Sequence, residues 1–199
     1  AYVEGWALYA ETLGDELGTY DGDPVGQLGY LQSIAFRACR MVVDTGLHAK
    51  RWTRDQAVQW FASTNGSGLS EVAPEVDRYC SWPGQACGYK MGHSEILAQR
   101  DRAKAALGAK YDLRDFDDAV VTGGNVPLDV LAQNIFNLTR KRLADRHRTG
   151  WVRDGFPVPC EQYGAQPLPT ALNQKLLCEY LISRVKQAIK GRVPGDNHP

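Results

Sequence analysis

The spacing of apolar residues constrains the fold of this chain more than any other feature. Between Pro24 and His48 these residues recur at helical intervals and form one stripe, made of Leu28, Leu31, Ala35, Ala38 and Val42. This spacing predicts an amphipathic helix, whereas the apolar–polar alternation of a half-buried strand is almost absent from the chain. The sequence therefore predicts an all-α protein, folded as an irregular helical bundle.

Capping and turn residues predict where the first helices begin. Pro24 follows a turn signal and suits the first turn of a helix. Thr53-x-x-Gln56 is typical of a capping box that opens another helix. Ser70 is expected to cap a helix that runs through Val76 to Tyr79.

The later helices are marked by proline and glycine. Pro83-Gly84 is expected to start a helix that continues to Leu107, with Gly108 as its stop. A short helix is expected around Phe116. Pro127 is expected to open a last helix of the bundle, which ends in Arg140-Lys141-Arg142.

The composition of the chain changes near its end. Up to Thr139 there are 12 basic and 18 acidic residues, a net charge of −6, and from Arg140 onward there are 11 basic and 5 acidic residues, a net charge of +6. Proline-fixed segments at 156–159 and 166–169 precede an amphipathic stretch from about Thr170 to Lys190. We therefore predict two parts, a helical bundle over residues 1–148 and a basic extended arm with a docking helix over residues 149–199.

Composition also limits the compartment and the partners. No stretch approaches the roughly 20 apolar residues of a membrane span, and the basic arm has few aromatic residues for stacking on bases, so a nucleic-acid role is disfavoured. The five cysteines are odd in number and lack a C-x-x-C motif, which favours buried thiols in a reducing compartment. A soluble protein is expected, and a mitochondrial or other organellar location within a complex is one option.

The string Glu4-Gly5-Trp6-Ala7-Leu8-Tyr9-Ala10-Glu11 is the most informative one for chemistry. Its two carboxylates lie seven residues apart and share one face of a helix. Such a pair can supply a metal ligand and a supporting partner. It is also what a solvated helix face contains.

The motifs that follow in order give this string more weight. They are Arg37-Ala38-Cys39-Arg40-Met41-Val42-Val43-Asp44-Thr45-Gly46-Leu47-His48, Trp52-Thr53, Arg78-Tyr79, Pro83-Gly84-Gln85-Ala86, Tyr89-Lys90-Met91-Gly92, Leu107-Gly108, Phe116-Asp117-Asp118 and Gly124-Asn125-Val126-Pro127-Leu128. Over about residues 2–138 the series resembles the C-terminal half of a bacterial metallopeptidase-like family, domain-of-unknown-function 885, which is related to the gluzincin zinc peptidases.

The resemblance implies roles for four residues. Glu4 matches the third zinc ligand, and Glu11 matches a second carboxylate that supports the ligand or the helix. His48 and Tyr89 match positions facing the cleft, where each can donate a hydrogen bond to the oxyanion of a tetrahedral intermediate. A structural alternative stays open for both, since His48 can cap a helix C-terminus and Tyr89 can belong to the core.

Two arginines are candidates for binding substrate. The planar guanidinium of Arg78 or Arg40 can hold a substrate carboxylate. The alternative is that both pair with acidic residues of the bundle.

Two departures from the family pattern count against an active peptidase. No His-x-x-x-His occurs in the sequence, so the histidines that would accompany Glu4 as zinc ligands are missing. The family pattern Phe-His-Asp is replaced by Phe116-Asp117-Asp118. We therefore expect no cofactor in this chain alone, and zinc only if a partner completes the site.

Two interpretations of function follow. In the first, the chain is a non-catalytic accessory or scaffold subunit, derived from the metallopeptidase-like fold and bound to other protein subunits through its apolar face and basic arm. In the second, it is the C-terminal piece of a split or processed zinc metallopeptidase whose zinc-binding helix lies on another chain. The sequence narrowly favours the first.

Overall fold

The computed structural model describes residues 1–146, which form seven α-helices and no strand. The helices are α1 (Tyr2–Glu16), α2 (Pro24–Lys50), α3 (Arg54–Asn65), α4 (Leu69–Ser81), α5 (Gly88–Leu107), α6 (Leu113–Thr122) and α7 (Leu128–Arg146). The predicted all-α fold is confirmed. The predicted arm and docking helix, residues 149–199, lie outside the described residues.

Most helix starts agree with the capping signals. Asp23 caps α2 by accepting a hydrogen bond from the Gly26 amide. The capping box of α3 is complete, because the Thr53 hydroxyl accepts from the Gln56 amide and the Gln56 side chain accepts from the Thr53 amide. Short polar side chains at these positions satisfy amides that have no partner within the helix.

Three helix boundaries were predicted wrongly. The N-cap of α4 is Gly68 rather than Ser70, so the helix begins earlier without a side-chain cap. Pro83 and Gly84 lie in a turn, Gly84 with φ of 82°, and α5 begins only at Gly88, after a 3-10 turn. Helix α7 continues past Arg142 to Arg146.

The apolar residues form two separate clusters. The first joins α2, α3 and α4, and at its centre lie Cys39, Val43, Phe61, Val72 and Val76. The second joins α1, α5, α6 and α7, and its most buried members are Tyr9, Ile96, Val120, Leu131 and Ile135. The helical stripes of the sequence pack into these two layers, with α2 and α5 as the central helices.

Helices α1 and α5 run side by side in the same direction and touch through glycine. Ala1 lies against Gly88 and Gly5 against Gly92, while Glu16 pairs with Arg100 further along. A Cβ on Gly5 or Gly92 would collide with backbone of the other helix. The spacing Gly88-x-x-x-Gly92 keeps one face of α5 bare, which permits this close approach.

None of the described helices is long and apolar enough to cross a membrane.

Candidate functional site

The polar candidates gather along a seam where α1, α2 and α5 meet. Helix α2 runs antiparallel to α1, because Gln27 contacts Asp15 while Ser33, further along α2, contacts Glu11. Helix α5 closes the seam through Tyr89, whose ring lies under the Arg40 guanidinium of α2. We refer to this junction of three helices as the seam.

Glu4 lies at the N-terminal end of the seam. It is half-buried in the first turn of α1, directly before the Gly5–Gly92 contact. No hydrogen bond or ion pair joins its carboxylate to another residue within 1–146. Glu4 lies seven residues before Glu11 on α1, and Arg40 lies seven residues after Ser33 on α2. At a rise of 1.5 Å per residue, Glu4 and Arg40 are therefore each displaced about 10 Å along the helix axis from the contact between Glu11 and Ser33.

Glu11 is held by the neighbouring helix. The Ser33 hydroxyl donates to its carboxylate at 3.2 Å, and Arg37 Nη1 donates to the Ser33 hydroxyl at 2.6 Å. The carboxylate thus joins a short polar chain that links α1 to α2. The structure places Glu11 as a support between helices and does not bring it to Glu4.

Arg40 and Tyr89 are stacked. The Arg40 guanidinium carbon lies 4.1 Å from the centre of the Tyr89 ring and 5.4 Å from that of Tyr79. Arg40 is only 5% exposed, and its Nε and Nη2 atoms have no hydrogen-bond partner. A buried guanidinium between two ring faces is stabilised by cation–π attraction, which fixes the plane of Tyr89.

Arg78 is fully engaged within α4 and the following turn. Its Nε and Nη2 donate to the two carboxylate oxygens of Glu75 at 3.2 and 2.8 Å, and Nη1 donates to Gln85 at 3.0 Å. Burial would raise the pKa of Glu75, but the hydrogen bonds from Arg78 and Tyr79 outweigh it and lower that pKa. Of the two arginines predicted to bind substrate, Arg78 therefore has its donors occupied by its own helix and turn.

His48 contacts the backbone of Tyr79 rather than its ring. It is exposed in the last turn of α2, and its Nε2 donates to the backbone carbonyl of Tyr79 at 2.9 Å, near the C-terminus of α4. It follows Arg40 by eight residues, about 12 Å along the helix axis. The structure therefore brings Arg40 and Arg78 to the Tyr79 ring, with Tyr89 against Arg40, and places His48 at the Tyr79 carbonyl.

A buried polar relay at the centre of the seam was not predicted from the sequence. Lys90 Nζ lies 2.7 Å from His93 Nδ1, and His93 Nε2 lies 2.9 Å from the Thr12 hydroxyl. Burial, with the nearby Lys90 charge, lowers the pKa of His93 to about 3. The imidazole is therefore neutral, accepts from Lys90 at Nδ1 and donates to Thr12 at Nε2. The sequence signal was the i, i+3 spacing of Lys90 and His93, which puts both on one helix face.

Asp44, which is buried, and Cys87, which is half-buried, form a second polar pair beyond Arg40. Both carboxylate oxygens of Asp44 accept from the Gly84 amide at 3.0 Å. Burial raises the pKa of Asp44, and burial followed by the Asp44 charge raises the pKa of Cys87 to about 11. Cys87 is thus a protonated thiol at neutral pH and a poor nucleophile.

Asp117, which stands where the family pattern has histidine, holds α6 against α1. The Tyr9 hydroxyl donates to its carboxylate at 2.9 Å. Tyr9 is fully buried on the face of α1 that packs into the second apolar cluster. Asp117 therefore has a packing partner in this fold.

The described residues do not hold a metal ion by themselves. Within residues 1–146, no group of three His, Cys, Asp or Glu side chains is close enough together to bind one. Glu4 has no second ligand beside it, and Glu11 is bound to Ser33. A zinc ion does not fit this donor set, because protein zinc sites need three or four ligands.

The fold and the seam together define an all-α protein whose polar side chains cluster where α1, α2 and α5 meet. The chain belongs to the family described as bacterial proteins of unknown function (DUF885), whose sequence model matches residues 1–135. A search of curated proteins found no match.

A solved structure is similar to a large part of the chain. It is described as the crystal structure of "the putative lipoprotein from Colwellia psychrerythraea", with 51% sequence identity and a TM-score of 0.69. The similarity covers 70% of this chain but only 24% of that protein. The chain thus spans about a quarter of the length of its solved neighbour.

Proposed function

We propose that this chain forms one wall of a hydrolase site of the metallopeptidase-like type, with the other wall supplied by polypeptide outside the described residues. The observation that carries the proposal is Glu4, a half-buried carboxylate that has no partner among residues 1–146 and lies beside the glycine contact of α1 with α5. A carboxylate in such a place usually has a counter-charge or a metal. The neighbour supports the proposal because there the matching region is a quarter of a longer chain.

Within this proposal the residues of the seam have separate tasks. Glu4 would contribute one metal ligand, and the remaining ligands would come from the other wall. Tyr89, held by Arg40, would offer its hydroxyl to a substrate oxygen. Arg40 rather than Arg78 is the candidate for binding a substrate carboxylate, because the donors of Arg78 are occupied.

Metal analysis of the native protein that contains this chain tests the proposal. We expect about one zinc per chain, as in zinc hydrolases generally. Glu4→Gln should lower that zinc content strongly while the fold is retained, as checked by circular dichroism. Glu11→Gln is the matched control, because its carboxylate is bound to Ser33 and its loss should leave the zinc in place. Unchanged zinc in Glu4→Gln would refute the proposal.

A second function, that of a non-catalytic accessory or scaffold subunit, is favoured by the outer face of α1. Val3 and Leu17 are 57% and 80% exposed, and Ala7 and Ala10 between them are also exposed, so this face is apolar over four turns. Apolar faces of this kind are commonly covered by other polypeptides. A native complex without stoichiometric zinc, in which Ala7→Lys releases the other subunits, would favour this function over the first.

Neither of the two proposed functions determines the cellular compartment of the protein. The neighbour's description as a lipoprotein raises the proposal of a membrane-anchored bacterial protein. Cys39, Cys80 and Cys87 form no disulfide within the described part, and the reducing compartment stays a prediction. The organellar location stays a prediction.

A further inference from the structure

A cleft on the far side of the bundle has no role in the seam. It is a shallow cleft, open to solvent, between the end of α5, α6 and α7. Phe116 and Ile135 form its buried floor, and the half-buried side chains of Leu107, Ala119 and Leu138 line its walls. This lining is suited to apolar side chains inserted from outside.

The rim of the cleft carries charges of both signs, since Lys110 and Arg142 line it as well as two aspartates. Asp112 and Asp115 both line it, Asp112 is exposed, and Asp115 accepts from Arg142 of α7 at 2.9 Å. The whole bundle up to Thr139 has a net charge of −6, whereas the residues from Arg140 onward have +6. The apolar lining of the cleft and the acidic bundle around it therefore complement a segment that is apolar on one face and basic around it.

The chain itself contains such a segment directly after the cleft. Leu138 and Arg142 line the cleft in the last turns of α7, and 53 residues follow Arg146. Among them, residues 170–190 have an apolar stripe at helical spacing, made of Leu176, Leu177, Tyr180, Leu181 and Val185. Lys175, Arg184, Lys186 and Lys190 surround this stripe.

We propose that residues 170–190 dock as an amphipathic helix in the cleft between α6 and α7 of the same chain. The 23 residues from 147 to 169 are long enough to return to a cleft that begins where α7 ends. A tether of this kind gives an effective concentration on the order of millimolar, so even a weak intrinsic affinity suffices. Leucine side chains would cover the apolar lining of the cleft, and lysines would lie towards the exposed Asp112.

Disulfide crosslinking in the full chain tests the docking. Cys178 lies within the predicted helix, so in a Cys80→Ser, Cys160→Ser background the change Ala119→Cys adds a thiol in the cleft. Gln59→Cys, at an exposed position of α3 on the other layer, is the matched control. Mild oxidation should crosslink residue 119 to Cys178 within one chain, with a yield about tenfold or more above the control because the tether raises the local thiol concentration.

A second variant checks that the apolar stripe is responsible. Leu177→Lys with Leu181→Lys should abolish the excess crosslinking and raise amide hydrogen exchange in α6 and α7. Circular dichroism of the bundle should be unchanged. Equal yields for positions 119 and 59, or crosslinks found only between two chains, would overturn the proposal. The second outcome would assign the cleft to the arm of another copy.

Discussion

The first apolar cluster and the seam are built on different principles, although α2 contributes to both. The cluster of α2, α3 and α4 is held by buried side chains such as Phe61, Val72 and Val76, none of which is exposed. The seam is held by backbone contact at Gly5 and Gly92 and by the buried Lys90–His93 relay. Burial of apolar surface tolerates changes of shape, whereas backbone contact and buried polar pairs do not.

The difference explains where the candidate chemistry lies. Most of the polar residues with functional potential, Glu4, Arg40 and Tyr89 among them, lie at the seam, and the two apolar clusters flank it. A close-packed apolar layer on either side keeps the three helices in place while the seam carries unpaired polar atoms. This arrangement is suited to a catalytic or binding site, because preorganised polar groups need rigid support.

The largest effect is expected from a methyl group placed in the seam. Gly92→Ala should abolish folding or lower the unfolding midpoint more than any change in the apolar cluster, because its Cβ would overlap the backbone of Ala1 and Gly5. Urea denaturation of the full chain measures the effect. Gly29→Ala is the matched control, because no atom lies within 4 Å of its Cβ, and it should stabilise α2 by about 0.5–1 kcal/mol. Similar midpoints for the two variants would mean that the seam does not depend on glycine contact.

An effect smaller than that of Gly92→Ala is expected in the first apolar cluster. Phe61→Ala should lower the free energy of unfolding by about 3–5 kcal/mol, because it removes a fully buried ring that packs 4.7 Å from the ring of Phe36. Phe61→Leu should recover more than half of this loss, since an apolar cluster accepts a different shape. Equal destabilisation by the two variants would mean that the apolar cluster is as sensitive to side-chain shape as the seam.

A more gradual effect is expected from pH, to which the seam contributes through His93. Because the pKa of His93 is lowered to about 3 in the folded chain, only the unfolded state takes up this proton below its ordinary pKa of about 6.5. The contribution of His93 to the free energy of unfolding is therefore fully present above pH 6.5. It falls as the pH drops from there towards 3, by at most about 1.4 kcal/mol per pH unit.

His93→Gln should flatten this part of the pH profile, as measured by urea midpoints between pH 7 and 4. Glutamine can still accept from Lys90 and donate to Thr12, so part of the relay survives at neutral pH. His48→Gln, at the exposed end of α2, is the control and should keep the slope because His93 still titrates. An unchanged slope in His93→Gln would mean that this imidazole takes up its proton in the folded chain as well.

Much of the helical layout could be predicted from local signals. The Thr53–Gln56 capping box and Pro24 at the start of α2 were found because caps involve residues only three or four apart. The start of α5 was placed wrongly because Pro83 and Gly84 occupy a turn that is held from outside, by the Asp44 carboxylate. Such a contact, forty residues apart, has no local signature.

In the candidate site, too, some features could be predicted from sequence spacing and others depended on the packing of helices. Spacing put Glu4 and Glu11 on one face of a helix, and both are half-buried on α1. Only the packing of α2 showed that Ser33 binds Glu11 while Glu4 stays without a partner in the described part. Likewise, Arg78 and Arg40 looked equivalent in sequence, and the positions of Glu75 and Gln85 separated them.

The sequence by itself determined an all-α bundle, most of its helix starts and its opposite charges on the two sides of residue 140, because periodicity, capping and composition are local properties. Tertiary structure alone decided that Gly5 meets Gly92, that Lys90 and His93 are buried together, and that His48 bonds to the Tyr79 carbonyl. The physical reason is that these contacts depend on how whole helices approach one another. That approach is set by steric fit and by the pairing of buried polar atoms over many residues.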